Sequence, residues 1–208
     1  MAGNTQLSGE HINPVVGVLA LQGDHREHIG LLTAMGVAAV PLRHPEQLSE
    51  VHAVILPGGE STVIAKLAQL CGLWEPLRAA IAAGMPTLGT CAGLILLADR
   101  ITNAAPGQRT LGGLDVTVER NAFGTQAESF ETALDMPAVS LHPVSATFIR
   151  GPVIQSVGPK ATILASLPGG QVVAVQQDTI IGISFHPELD GETRVHEHLM
   201  SLVVGGAR

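Results

Sequence analysis

One cysteine, Cys91, stands between two glycines where an apolar, strand-like run meets an apolar, helix-like run. The pattern Gly89-Thr90-Cys91-Ala92-Gly93 suits a sharp strand-to-helix turn that holds a nucleophile in a strained backbone conformation. The amides at the start of the following helix would point at the sulfur. Taken alone, the pentapeptide fits a catalytic nucleophile and a small buried thiol in a glycine-rich turn about equally well.

A cysteine nucleophile needs a base that takes its proton and returns it to the leaving group, and the base needs an orienting group. The segment His186-Pro187-Glu188 offers both. The apolar run 180–185 would deliver His186 at the carboxyl end of a strand, and residues two apart in extended chain face the same side. We therefore expect His186 and Glu188 to lie together.

The remaining histidines raise the question of a metal site, because His25 stands near His28 and His196 near His198. Neither cysteine is close to these pairs in sequence, and no third ligand stands at a telling spacing. We expect no metal site, and we expect His196 and His198 to lie on a solvated helix face. Cys71, at the end of a helical run, is expected to be a packing residue.

Acyl chemistry also needs donors for the oxyanion that forms when sulfur attacks a carbonyl carbon. Gly58-Gly59 ends a neighbouring apolar run and can turn an amide into the same crevice. Together with the Ala92 amide, the Gly59 amide would make a two-donor oxyanion hole. Taken alone, Pro57-Gly58-Gly59 is better explained as an ordinary tight turn.

The first half of the chain alternates short buried runs with amphipathic segments, and Asp24 suits the N-cap of the first helix. This alternation favours an α/β fold with a doubly wound, mostly parallel sheet and flanking helices, whose crevice lies at the carboxyl ends of the strands. Strands are predicted at 15–21, 37–42, 53–56 and 86–90, and helices at 25–35, 62–70, 75–83 and 92–98.

Beyond Leu111 the pattern changes to β-branched and alternating runs separated by turn residues, which predicts additional, mostly antiparallel strands. The chain is expected to end in one helix over 193–203. The predicted strands cover 114–118, 129–134, 145–149, 153–157, 163–165, 172–175 and 180–185.

Composition limits the partners of this 208-residue chain. It carries 11 Lys and Arg against 18 Asp and Glu, a net charge of −7, which offers no basic surface for nucleic acid or anionic lipid. No apolar run reaches the length of a membrane span, and residues 1–14 lack the features of a signal peptide. We expect a cytoplasmic protein with a flexible tail over 1–14 and a single domain over 15–208, binding neither nucleic acid nor membrane.

Three motifs in this order, Pro57-Gly58-Gly59-Glu60-Ser61, Gly89-Thr90-Cys91-Ala92-Gly93 and His186-Pro187-Glu188, resemble the class I, triad-type glutamine amidotransferases. The chain resembles more closely the glutaminase subunits of pyridoxal 5′-phosphate synthases, over about Val15 to Leu202. The segments that carry this closer resemblance are 17–23, 58–62, 120–124, 129–131 and 148–150.

The resemblance implies a glutaminase whose triad is Cys91, His186 and Glu188, with Gly59 and Ala92 as the oxyanion hole. It implies that L-glutamine is held by six residues: Gly59, Glu60, Ser61, Arg120, Ile149 and Arg150. The implied partner is a (β/α)₈-barrel synthase subunit that builds pyridoxal 5′-phosphate, or vitamin B6, with the released ammonia. Neither a metal nor an organic cofactor is required. Family members often carry Arg where this chain has Thr125, which leaves the contacts of that loop open.

Two other classes share parts of this pattern. A non-catalytic α/β adaptor would keep the fold and only dock, although the complete set of Cys91, His186 and Glu188 argues against it. A cysteine peptidase, or a glutaminase that serves a different synthase, would share the triad. Because free ammonia must not leak, we expect the isolated subunit to be weakly active, with the Gly58-Gly59 loop completed by the partner.

Overall fold

Buried apolar runs and amphipathic segments alternate in the first half of the structure, a computed structural model that describes residues 13–120 and 129–205. The apolar runs form strands because their β-branched and aliphatic side chains are covered on both faces. In chain order these elements are β1 (Val15–Leu19), α1 (His25–Ala34), β2 (Ala38–Leu42), β3 (Ala53–Leu56), α2 (Ser61–Leu70), α3 (Trp74–Ala82), β4 (Thr87–Thr90) and α4 (Ala92–Leu97). A 3₁₀ turn, Pro45–Glu50, precedes β3.

The second half is mostly strand and ends in a helix. Its elements are β5 (Ala98–Thr102), β6 (Leu114–Glu119), β7 (Phe130–Leu134), β8 (Val144–Phe148), β9 (Val153–Val157), β10 (Thr162–Ser166), β11 (Val172–Gln177), β12 (Ile180–Ile183) and α5 (Arg194–Gly205). The strand β5 was not predicted: its Asp99 and Arg100 are exposed, so the local pattern shows no apolar alternation.

A seven-stranded sheet in the order β10-β11-β12-β4-β3-β1-β2 forms the centre of the fold. The five strands from β12 to β2 run parallel, and β11 and β10 continue the sheet through antiparallel pairings. The predicted doubly wound, mostly parallel sheet is confirmed. The prediction that the second half is mostly antiparallel is also confirmed by the pairings β6-β9, β7-β8, β10-β11 and β11-β12, although β12 in addition pairs parallel to β4 from Ile180 to Ile183.

Two clusters of buried side chains cover the two faces of this sheet. One joins α1, α5 and the β7-β8 pair, with Leu32, Phe148 and Leu199 among its members. The other joins α2, α3, α4 and the small β5-β6-β9 sheet, with Leu77 and Leu96 among its members. Burial on both faces explains why the central strands are continuously apolar.

In the described ranges, no helix is both long and apolar enough to cross a lipid bilayer. The predictions of a single domain over 15–208 and of a flexible tail over 1–14 remain predictions, and residues 1–12 of that tail lie outside the described residues.

Candidate active site

Cys91 lies on the sharp turn between β4 and α4. Its backbone has φ 49° and ψ −100°, a region that side-chain-bearing residues rarely adopt, and its N–H donates to Ile183 O at 2.9 Å. The flanking glycines make this turn possible. A Cβ at Gly89 would approach the Gly93 carbonyl carbon at 2.6 Å, and a Cβ at Gly93 would overlap the carbonyl of Leu56. The turn therefore requires glycine on both sides of the Cys91 segment, at positions 89 and 93.

His186 follows β12 and meets Glu188 as the sequence predicts. Its Nδ1 lies 2.7 Å from Glu188 Oε1, and both residues are buried. The backbone N–H of His186 donates to Thr147 O at 2.9 Å, so β8 also holds the segment in place. Because Nδ1 is taken by Glu188, Nε2 is the imidazole nitrogen that is free to exchange a proton with Cys91.

The surroundings of His186 favour the protonated form of its imidazole. Burial would lower the pKa of His186, but hydrogen bonds and Coulombic attraction to Cys91 and Glu188 outweigh it and raise the pKa from 6.5 to about 10. Burial raises the pKa of Glu188, and the hydrogen bond to His186 opposes that rise. At neutral pH His186 therefore holds a proton beside Cys91, ready for transfer to a leaving group.

The loop between β1 and α1 supports the Gly58-Gly59 segment. Gln22 Oε1 accepts the Glu60 N–H at 2.7 Å, and the Asp24 N–H donates to Gly58 O at 3.2 Å. The Asp24 side chain makes no capping bond to α1 and lies instead with Oδ2 3.6 Å from His186 Nδ1. Sequence reasoning assigned Asp24 to a cap and missed this placement.

Three of the residues predicted to hold glutamine meet in one hydrogen-bonded cluster. Arg120 donates to Glu60 Oε1 at 2.8 Å through one terminal nitrogen and to Gln108 Oε1 at 2.7 Å through the other. The Gln108 amide in turn donates to Ser61 Oγ at 3.0 Å. Gln108 was not predicted; the polar stretch around it gave no signal, because its role depends on a contact 47 residues away.

Ile149 and Arg150 follow β8, the strand whose Thr147 carbonyl holds His186. Both are exposed, and Arg150 has φ 47°. Within residues 13–120 and 129–205, the Arg150 guanidinium makes no hydrogen bond or ion pair with the protein. Among the described residues Arg150 thus has no polar partner, whereas Arg120 is engaged by Glu60 and Gln108.

The prediction that His196 lies on a solvated helix face is wrong. His196 is fully buried on α5, and its Nε2 lies 3.0 Å from Nδ1 of His28, which is fully buried on α1. The reason is that α1 and α5 pack over the same face of the sheet and bury the sides that carry these histidines. His198, two residues further on, is only partly buried and bonds Gln176.

The position of Cys71 tests one further expectation. Cys71 is exposed at the C-terminal end of α2, so the prediction that it is a packing residue is wrong. Thr125 and the rest of 121–128 lie outside the described residues.

One group of potential metal ligands occurs within the described part of the chain: Asp24, His186 and Glu188, whose ligand atoms lie within 4.8 Å of one another. Two of these ligand atoms, His186 Nδ1 and Glu188 Oε1, form a hydrogen bond with each other at 2.7 Å.

The sequence profile of the SNO glutamine amidotransferase family matches residues 18–205 of this chain. The chain belongs to that family. Among curated relatives, the pyridoxal 5′-phosphate synthase subunit PdxT of Leifsonia xyli subsp. xyli is 57% identical over 193 residues, which cover 93% of this chain and 98% of the relative. The PdxT subunit of Acidothermus cellulolyticus is 49% identical over 199 residues, covering 94% of this chain and 96% of that protein.

Solved structures agree with this assignment. A crystal structure described as a glutamine amidotransferase superposes with a TM-score of 0.84 at 44% identity, covering 90% of this chain and 98% of its own. The PurLQS structure from Thermotoga maritima superposes with a TM-score of 0.66 at 13% identity, covering 93% of this chain and 98% of the other, and this likeness concerns the fold alone.

Proposed function

We propose that this protein is the glutaminase subunit of a pyridoxal 5′-phosphate synthase, which hydrolyses L-glutamine and supplies ammonia to a (β/α)₈-barrel partner subunit. The observation that carries the proposal is the junction of Cys91, on a strained turn, with the buried pair His186 and Glu188. Family membership and the names of the PdxT relatives support the choice of glutamine as substrate and of the synthase as partner.

In the proposed reaction, Cys91 Sγ attacks the side-chain amide carbon of glutamine, and the Gly59 and Ala92 amides stabilise the oxyanion. His186 Nε2 donates its proton to the departing nitrogen, the C–N bond breaks, and ammonia leaves a γ-glutamyl thioester. His186 then removes a proton from water, which attacks the thioester and releases glutamate. The Cys91 thiolate is expelled as the thioester C–S bond breaks, and the proton from water stays on His186, which restores the starting pair. Glu188 holds the imidazole by its Nδ1–H throughout.

The substrate would lie between the Arg120 cluster and the end of β8. Arg120, Glu60 and Ser61 are linked through Gln108, so they would form a rigid wall beside the Gly59 segment. Arg150, free of partners among the described residues, is suited to pair with the substrate α-carboxylate, and Ile149 would cover the aliphatic part of the substrate.

The substitution Cys91→Ser tests the reaction directly. Glutamate release is measured with the full-length chain alone and with the barrel subunit added. We expect wild-type turnover to rise markedly with the partner and the variant to have no measurable turnover in either state. The matched control is Cys71→Ser, which makes the same change at the exposed cysteine and should retain wild-type rates.

Each rival class gives a different result in this assay. Normal glutamine turnover by Cys91→Ser would overturn the proposed nucleophile. An adaptor would show no glutamine turnover and no labelling of Cys91 by a glutamine-like electrophile. A peptidase would hydrolyse peptides without the synthase subunit, and a full rate of glutamine hydrolysis without any partner would contradict the coupling.

The substitution Arg150→Gln tests the binding of the substrate α-carboxylate. Loss of a charge-assisted bond should raise KM for glutamine by about ten- to hundredfold and leave kcat within a factor of about three. Arg26→Gln, on the exposed side of α1, removes the same charge elsewhere and should leave KM unchanged. An unchanged KM in Arg150→Gln would assign the carboxylate to another residue.

A further inference from the structure

A buried line of polar side chains continues from Glu188 into the core, away from the nucleophile. His28 Nε2 lies 3.5 Å from Glu188 Oε2 and 3.2 Å from Thr90 Oγ1, and His28 Nδ1 lies 3.0 Å from His196 Nε2. Glu188, His28 and His196 have side chains with almost no exposure. The line thus joins α5 and α1 to the residue that precedes Cys91 and to the carboxylate that orients His186.

Two atoms of this line are buried without a hydrogen-bond partner among the described residues, the second oxygen of Glu188 and Nδ1 of His196. Oε1 bonds His186, whereas Oε2 is buried and has no hydrogen-bond partner within normal distance among the described residues. A buried carboxylate oxygen without a donor is costly. His28 Nε2, at 3.5 Å, is placed to supply that donor after a small approach.

The protonation of the two histidines follows from their surroundings. Burial lowers the pKa of His28 well below 6.5, with further lowering by His196 and His186, and burial lowers the pKa of His196 to about 4. Both rings are therefore neutral at pH 7 and carry one N–H each. If His28 held its proton on Nδ1, a nitrogen lone pair would face the carboxylate in a dry interior, which is repulsive. The favoured arrangement has His196 Nε2–H donating to His28 Nδ1, and His28 Nε2–H facing Glu188 and Thr90.

We infer that His28 and His196 are positioning residues of the proposed glutaminase, which hold Glu188 through its second oxygen and so fix the imidazole of His186 beside Cys91. The role of these histidines in glutamine hydrolysis rests on the proposed function, whereas the contacts among His28, His196 and Glu188 do not. His196 sets the tautomer of His28, His28 Nε2–H faces Glu188 Oε2 at 3.5 Å, and Glu188 holds His186 Nδ1–H. The same His28 nitrogen contacts Thr90, so one ring ties the strand of the nucleophile to the carboxylate of the base pair.

The test measures Cys91 directly, so neither glutamine nor the synthase subunit is needed. In a Cys71→Ser background, the second-order rate of alkylation by iodoacetamide is followed from pH 5 to pH 10. We expect His28→Leu to lower the rate at pH 7 by roughly ten- to hundredfold, because the base is no longer held toward the thiol. His28→Gln, whose amide places a donor near the position of Nε2, should restore most of the rate.

Proton NMR supplies a second measurement, which a change in packing around His28 alone would not affect. The downfield resonance of His186 Nδ1–H, assigned by its loss in His186→Gln, should move in His28→Leu and to a smaller extent in His196→Leu. The matched control is His198→Leu, the same change two residues along α5 at a histidine that bonds Gln176. It should leave both the resonance and the alkylation profile unchanged.

Wild-type alkylation and an unmoved resonance in His28→Leu would overturn the inference. If that variant does not fold, the inference is tested by comparing His28→Gln with His28→Asn. The shorter amide of asparagine reaches His196 but not Glu188. Equal alkylation rates for these two variants would contradict a donor to Glu188. Absence of glutamine turnover in the wild type would refute the proposed function while leaving these readings intact, so the two failures are distinguishable.

Discussion

At the scale of single residues, Cys91 has a small side chain on a backbone in an unfavourable conformation with positive φ. The turn places its N–H on Ile183 O and its sulfur beside His186, and its positive φ costs about 1–3 kcal/mol in a residue with a Cβ. That strain stabilises nothing in the fold. The strained turn suits the proposed nucleophile, because it presents the sulfur at the end of β4.

The substitution Cys91→Gly should therefore be inactive but well folded. Glycine relieves the strained backbone and loses about 0.5–1 kcal/mol through the entropy of the unfolded chain, which leaves a net gain of about 1 kcal/mol over Cys91→Ala. Chemical denaturation of the two variants measures the difference. A glycine variant clearly less stable than the alanine variant would show that the turn stores no strain.

Sequence reasoning at this scale brought together Cys91, His186 and Glu188, because strand ends and the spacing of two are local signals. It did not find the contact of Asp24 with His186 or the burial of His28 and His196. Histidine occurs both at the surface and in the core of proteins. The sequence of α5 alone does not indicate which of its faces another helix will cover.

At the scale of elements, the position of α4 depends on how closely its first turn approaches β3 and β4. Gly93 lies against the Leu56 carbonyl, and Gly89 lies against Gly93, so helix and strands meet backbone to backbone. Side chains at either position would push α4 away and move Cys91 relative to His186.

The change Gly93→Ala should destabilise the protein by at least about 3 kcal/mol or prevent folding, since the new Cβ would overlap main-chain atoms that cannot rotate aside. The matched control is Gly30→Ala on the exposed side of α1, where the added Cβ meets nothing within 4 Å. There the same substitution should stabilise by about 0.5–1 kcal/mol through helix propensity. Thermal unfolding of both variants would give shifts of opposite sign, and equal shifts would contradict this account of the turn.

Two elements show where local patterns stop being informative. The strand β5 pairs with β6 although Asp99 and Arg100 face solvent, so long-range pairing rather than local periodicity makes it a strand. The sequence of β12 has the same apolar pattern as the antiparallel strands near it in the chain, yet β12 pairs parallel to β4. A strand buried on both faces has no polar alternation to indicate direction or partner.

At the scale of the whole molecule, the chain order places the site. The sheet grows from β1 outward to β2 on one side and to β3, β4 and β12 on the other, and the loops after β1, β3, β4 and β12 meet at the carboxyl edge. The fold class was predictable because strands and helices alternate from 15 to 98. The packing of α1 beside α5 was not, since more than 150 residues separate them.

That packing predicts how stability depends on pH. Burial lowers the pKa of His196 to about 4, against 6.5 unfolded, despite the opposing effect of Glu192. The stabilisation by neutral His196 is present above pH 6.5 and is lost as the pH falls through about 4, which corresponds to about 3 kcal/mol. In denaturant titrations, wild type should lose about that much more free energy of unfolding than His196→Leu between pH 7 and pH 4. Equal losses would contradict a buried neutral His196.

His186 affects the pH dependence of stability in the opposite direction. Its pKa is raised to about 10, so the stabilisation from its protonated form is present below pH 6.5 and is lost as the pH rises through about 10. Alkaline destabilisation should therefore be weaker in His186→Gln than in the wild type, as the same titrations between pH 7 and pH 10 would measure.

The glycines around the site have a consequence for how such an enzyme can diversify. At Gly23, Gly58, Gly59, Gly89 and Gly93, a Cβ would collide with neighbouring atoms, mostly main chain or site side chains. Much of the crevice wall is therefore backbone, which mutation alters only by deleting or inserting residues. If the proposed glutamine-binding residues are correct, inherited variation in substrate preference would fall on side chains such as Glu60, Ile149 and Arg150, whereas the glycine-built backbone beside Cys91 would change little.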